Sequence, residues 1–118
     1  MPKNLARLTE RLIAFRDERN WRQFHSLKNL LVSLNLEAGE LLELTQWKSD
    51  DELEGLLEDS AFRARLTEET ADIFLYLLMI CERADIDLLQ AASDKIERNA
   101  EKYPVEKSHG NSKKYTEL

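Results

Sequence analysis

The sequence has a single cysteine, Cys81, so it can form no intramolecular disulfide. That excludes the disulfide-stapled secreted class, and a reducing, cytoplasmic setting is the expectation. Two prolines and three glycines leave few points at which a helix must break. The longest apolar run, IFLYLLMIC at 73–81, is under half the length of about 20 residues that a bilayer-spanning helix needs. The opening MPKNLARL lacks the apolar core of a signal peptide. No membrane partner is therefore expected. A basic excess is missing too: the formal charge of −6 argues against a nucleic-acid polymer as partner.

What is present is helical periodicity. Charged residues make up 34% and hydrophobic residues 42% of the sequence, a mix that suits helices with solvated faces and apolar stripes. From Asn4 to about Arg19, Leu5, Leu8, Leu12 and Phe15 recur at helical spacing. Ser26 is placed to cap a second helix that runs to about Gln46. Ser49 with Glu52 matches a capping box and opens a short acidic helix through Leu57. A third long helix is expected from about Ala61 to Arg83. A fourth follows a cap at Asp85 or Asp87 and ends near Tyr103, where Pro104 stops it. No strand pattern competes. The expectation is an all-α fold: an antiparallel helical bundle of four main helices plus the short acidic one, in a single domain over 1–104, with a polar tail at 105–118. So small a bundle with long apolar seams is expected to complete its core by oligomerising.

Charge is unevenly placed. Between Glu37 and Asp72, twelve Asp and Glu stand against three Lys and Arg, whereas lysines gather toward the C-terminus at 95, 102, 107, 113 and 114. Solvated faces explain charge balance alone. The seams are harder to explain that way. In the second helix, Leu30, Leu34, Glu37, Leu41 and Leu44 recur at 4-3-4-3 spacing, which puts a carboxylate inside the apolar stripe. Glu40 lies one turn on, about 60° round the same face. In the third helix, Phe62, Leu66, Glu69, Ile73, Tyr76 and Ile80 repeat the arrangement, with Asp72 three residues beyond Glu69.

Packed together, these helices bring four carboxylates into one part-buried space, where repulsion and desolvation oppose them. A divalent cation removes that penalty. Oxygen donors without Cys or His point to Mg²⁺, or Mn²⁺ as a substitute, rather than Zn²⁺. Snorkelling, or pairing with an Arg of a neighbouring helix, explains one such acid more simply than a metal does. It explains two matched pairs less well. Glu43 and Glu68 flank the set and read as helix-surface acids. Met79 and Cys81 fall in the apolar run and read as core.

LEAGELLELTQW at 36–47, EETADIFLYLL at 68–78 and KIERNAEKYP at 95–104 together resemble the MazG-like, all-α nucleoside triphosphate pyrophosphohydrolases. The family mark, E-x-x-E followed by E-x-x-D, reads here as Glu37 and Glu40, 28 intervening residues, then Glu69 and Asp72. Gly39, Tyr76 and the pattern K-x-x-x-N-x-x-K-Y-P add specificity. WRQFHSLKNL at 21–30 is similar to the dCTP pyrophosphatase branch of that family. The resemblance covers about residues 5–105.

It implies Mg²⁺-dependent hydrolysis of a nucleoside triphosphate to the monophosphate and pyrophosphate. It also implies metal ligation by Glu37, Glu40, Glu69 and Asp72. Residues matching Trp21, His25, Trp47, Tyr76, Lys95, Asn99 and Lys102 would face the nucleotide. Homodimers or homotetramers follow from it as well, with a tetramer (a dimer of dimers) favoured and sites built at subunit interfaces. Water attacks the α-phosphorus in this chemistry, and Glu40, off the centre of its seam, is the candidate to take the water's proton. Each reading has a plainer counterpart. The tryptophans can pack at the edge of a core, the lysines can sit on a solvated face, and Asn99 can bond to a neighbouring helix. A catalytically weak nucleotide-binding or regulatory helical module is the alternative function.

Overall fold

A computed structural model of the chain describes residues 4–118, and among these the regular structure is helical throughout. Six α-helices follow one another: α1 (Leu5–Glu18), α2 (Leu27–Glu43), α3 (Asp50–Gly55), α4 (Ser60–Ala84), α5 (Leu88–Lys102) and α6 (Val105–Ser108). Short 3₁₀ turns lie at Arg22–Phe24, Leu56–Glu58 and Tyr115–Glu117.

The helix starts have one local cause. The side chains of Asn4, Ser26, Ser49, Asp59 and Asp87 each accept a hydrogen bond from the backbone N–H three residues on, at 2.9–3.2 Å. Each satisfies a donor that has no partner inside the helix. The two acids expected to compete for the cap before α5 divide the work. Asp87 caps α5, whereas Asp85 closes α4 in the left-handed conformation, at φ 56°. The second helix stops at Glu43, before the expected Gln46, because its end tightens. Thr45 N and Oγ1 both donate to the Leu42 carbonyl, and Gln46 N donates to that of Glu43.

α2 and α4 form the main packing pair, and α1 also lies on α4. α2 and α4 run antiparallel. Leu30, early in α2, shares a cleft with Met79, late in α4, while Leu41 and Leu44 share one with Phe62 and Leu66. The buried apolar core is thin: Leu30, Leu44, Leu78 and Met79. The opposite flank of α2 leaves Leu27, Leu31, Val32 and Leu36 exposed. One charged side chain is buried with the core. Arg16 is 3% exposed, its Nε donating to Asp17 at 2.9 Å and its Nη1 to Glu82 at 3.0 Å, which ties the end of α1 to α4.

The chain divides into two compact units, one ending at Asp85 and the other beginning at Ile86. Within the second, Leu89 and Ile96 of α5 are exposed. Beyond Pro104 the polar tail forms helical turns that return toward the end of α5. Tyr115 meets Tyr103 edge to face at 6.1 Å, and Lys102 Nζ lies 4.8 Å over the Tyr115 ring.

Candidate active site

Glu37 and Glu40 project from α2 and Glu69 from α4. One carboxylate oxygen of each lies within 4.8 Å of those of the other two. The 4-3 spacing sets this up: Glu37 and Glu69 occupy positions on the packed seams, and Glu40 follows one turn on at the rim. Glu40 is exposed, whereas Glu37 and Glu69 are half-buried. Oε2 of Glu37 and Oε2 of Glu69 are buried without a hydrogen-bond partner among the described residues.

Desolvation first, and then the charge and close approach of Glu40, push the Glu37 carboxyl up to about 7, with Asp72 and Glu69 adding to the effect. Glu69 is raised by burial first and then by Glu40 and Asp72, with the close approach of Glu37 offsetting part of the rise. These acids form no ion pair among the described residues. Their donor atoms are all oxygen, two of them orphaned, and that set fits a hard divalent cation.

Asp72 lies outside this oxygen triangle, although its charge reaches Glu37. It is exposed and lines an adjoining cleft of about 150 Å³, together with Leu12, Phe15, Trp21, His25, Leu75, Tyr76 and Met79. Asp72, Leu75, Tyr76 and Met79 form the i, i+3, i+4, i+7 row of α4, and Leu12 and Phe15 face them from α1. The turn after α1 supplies the remaining wall. Trp21 N donates to the Arg16 carbonyl at 3.1 Å, and the Trp21 ring meets Phe15 edge to face at 5.7 Å. The Arg19 guanidinium covers the other aromatic surface, 3.8 Å from the Phe15 ring centre. His25 is held neutral, its pKa lowered by burial and then by the charge of Arg16, and its Nδ1 is buried without a partner among the described residues.

The cleft therefore joins three sequence-identified residues, Trp21, His25 and Tyr76, to the fourth acid. Sequence reasoning had assigned Leu12 and Phe15 to the apolar stripe of α1 and so missed them as cleft walls. Phe15, 44% exposed, shows that the stripe does not close over.

An oxygen triangle carried by E-x-x-E on one helix and E-x-x-D on its antiparallel neighbour is a feature that can be compared across proteins. Residues 32–118 match the MazG-like family. This chain belongs to that family. It is 45% identical to mouse dCTP pyrophosphatase 1 over 104 residues, which cover 88% of this chain and 61% of that protein. It is 42% identical to the human dCTP pyrophosphatase 1 over the same length. The chain thus spans about 61% of the length of these curated relatives. A crystal structure of a pyrophosphatase from Archaeoglobus fulgidus superposes with a TM-score of 0.78 at 39% identity, covering 88% of this chain and 98% of that one.

Trp47, also part of the MazG-like pattern, belongs neither to the triangle nor to the cleft lining. Trp47 is 92% exposed and held at φ 64°, a left-handed conformation that bulky side chains rarely adopt. Edge-of-core packing does not describe it. Lys95, Asn99 and Lys102 lie on α5 in the second compact unit, and all three are exposed. No residue of α5 is buried, Asn99 included. Lys102 is engaged with Tyr115, as described above. None of the helices among the described residues is long and apolar enough to cross a membrane.

Proposed function

We propose that this chain is a Mg²⁺-dependent pyrophosphohydrolase. It converts a deoxynucleoside or nucleoside triphosphate to the monophosphate and pyrophosphate, favours dCTP or related deoxynucleotides, and serves to clear unwanted nucleotides from the cytoplasmic pool. The observation that carries the reading is the pair of orphaned, half-buried carboxylates, Glu37 and Glu69, beside Glu40. The names of the relatives and the match to the MazG-like family support it.

Glu37, Glu40, Glu69 and Asp72 would hold Mg²⁺, with Mn²⁺ as a substitute. Bound there, the ion supplies positive charge against the phosphates and acidifies water. The residues do the remaining work. Glu40, exposed at the rim, takes the proton of the water that attacks the α-phosphorus. Asp72 lines the aromatic cleft and its charge reaches Glu37, which supports a substrate held with its α-phosphate between the acids and the cleft. Phe15, Trp21 and Tyr76 offer flat apolar walls to the base. At about 150 Å³ the cleft is smaller than the roughly 300–1,000 Å³ of a pocket for a whole drug-sized ligand, so it suits one ring and leaves the triphosphate outside. Neutral His25 can hydrogen-bond to the base without adding charge.

Lys95, Asn99 and Lys102 would meet the phosphates from α5, and Trp47 would close over a base. The exposed apolar flank of α2 and the thin core support assembly of copies, as a tetramer built from two dimers. A fully exposed Trp at positive φ is then a contact prepared for the assembled protein.

The experiment is a panel of NTPs and dNTPs with Mg²⁺, assayed for pyrophosphate. Release of pyrophosphate from dCTP, abolished by EDTA, is the expected result. Release of inorganic phosphate alone, or no turnover of any nucleotide, would overturn the reading.

A further inference from the structure

His25 and Met79 have a second cleft behind them. It measures about 530 Å³ and is bounded by Arg16, Arg22, Arg83, Glu82, Asn20 and Gln23. Three guanidinium groups stand there against one carboxylate, with His25 held neutral, so the lining carries a formal charge of +2 in a chain whose total is −6. Arg16 is the floor. Its side chain is 4% exposed, and its Nε and Nη1 bond to Asp17 and Glu82 while Nη2 has no hydrogen-bond partner among the described residues. Arg22 and Arg83 are exposed and form no ion pair among the described residues.

Holding α1 on α4 accounts for Arg16 and Glu82, but gives no reason for two further arginines in the lining of the same cleft. The cleft also opens at Ser26, where the 17-residue α2 begins. A helix start adds partial positive charge, and the Ser26 hydroxyl accepts from Asn29 N, which leaves its own proton to donate.

We propose that this cleft is a binding site for the phosphate group of a small phosphorylated molecule, separate from the acidic triangle. Arginines from α1, the 3₁₀ turn and α4 line this one cleft, and planar guanidinium groups match phosphate oxygens better than ammonium groups would. The floor charge is fixed in place by Glu82, so the site is organised before a ligand arrives. The proposal does not depend on the catalytic reading, because the acids there repel phosphate unless a metal is present.

The test is titration calorimetry in EDTA, with inorganic pyrophosphate and a nucleoside monophosphate as probes. One saturable site per chain is expected with at least one probe, and the ratio of affinities tells whether bare phosphate or a nucleotide is the natural class. Arg22→Ala with Arg83→Ala should weaken binding by about tenfold or more, since each removes a charge-assisted contact. Both residues are exposed, and an unchanged far-UV spectrum verifies the fold. Glu69→Gln should leave the affinity as it was. Absence of saturable binding by both probes, unchanged affinity in the double arginine variant, or loss of binding in Glu69→Gln would each overturn the proposal.

Discussion

Glu69 and Glu82 lie thirteen residues apart on the same helix, and they make opposite use of a half-buried carboxylate. Glu82 receives a guanidinium hydrogen bond from Arg16 at 3.0 Å, and the pair joins two helices. Glu69 faces two more acids, keeps one oxygen without a partner, and has its carboxyl pushed above the usual range by burial and by Glu40. Depth does not separate them, since both are of intermediate exposure. The nearest charges do. One end of α4 is closed electrostatically by the chain itself, whereas the acids at the other end pair with no cation among the described residues.

The largest effects should come from the open end. Glu40→Gln or Asp72→Asn should lower turnover by roughly 10²–10³-fold or more, the range seen when one group that stabilises a transition state is removed. Circular dichroism should show the helices intact. The matching change at the closed end, Glu82→Gln, should leave turnover within a few-fold. Turnover retained at the open end, or lost equally at both, would erase the distinction.

For stability the order reverses. Glu82→Ala leaves Arg16 buried with only Asp17 as its partner. The expected cost is about 1–3 kcal/mol, below the 3–5 kcal/mol typical of a fully buried pair because Glu82 keeps some solvent contact. Glu69→Gln removes a repelled charge and should raise the metal-free melting temperature. Chemical denaturation of both variants in EDTA gives the two signs directly.

The pH dependence sharpens the same contrast. Glu37 is held at about 7 in the folded chain, against 4.5 for an ordinary Glu. Between those values the folded chain keeps a proton that the unfolded chain has released. Metal-free stability should therefore be highest below about pH 4.5 as far as this group is concerned, and should fall as pH rises to about 7. Glu37→Gln should flatten that slope. Mg²⁺ should flatten it too, and should release a fraction of a proton on binding near neutral pH, visible as a buffer-dependent heat. A wild-type slope unchanged by both would show that Glu37 is not held in this way.

How far the sequence reveals these two ends depends on the range of the interaction. The helix starts are local. A Ser or Asp bonds three residues along its own chain, so Ser26, Ser49 and Asp87 could be read directly. The meeting of Glu37, Glu40 and Glu69 is one step removed. It needs only that two seams of equal period pack together, and the recurrence of leucines states that. The Arg16–Glu82 pair spans 66 residues, and nothing in FRDERN separates Arg16 from its three charged neighbours. The position of Asp72 was only half legible. Its three-residue step from Glu69 was plain, but that step turns it about 60° toward the side covered by α1, so it borders the aromatic cleft. Only the packing of α1 decides that.

The smallest expected effect tests a residue that belongs to neither end. Trp47 is almost wholly exposed and makes no aromatic or cation–π contact among the described residues. Trp47→Ala should therefore shift the stability of the dissociated chain by no more than about 0.5 kcal/mol, as for other surface changes. Trp47→Gly should raise it slightly, because glycine adopts φ 64° without strain. A side chain that contributes so little to its own fold, yet is held in a strained conformation, should show its effect on substrate. The KM for dCTP should rise several-fold in Trp47→Ala while kcat changes little, the pattern of lost uniform binding. Gel filtration of the same variant separates two routes to that result. For the proposed assembly, an unchanged elution volume with a raised KM assigns the ring to the base, whereas a shift to smaller size assigns it to a contact between copies. An unchanged KM in an intact oligomer would remove Trp47 from the site altogether.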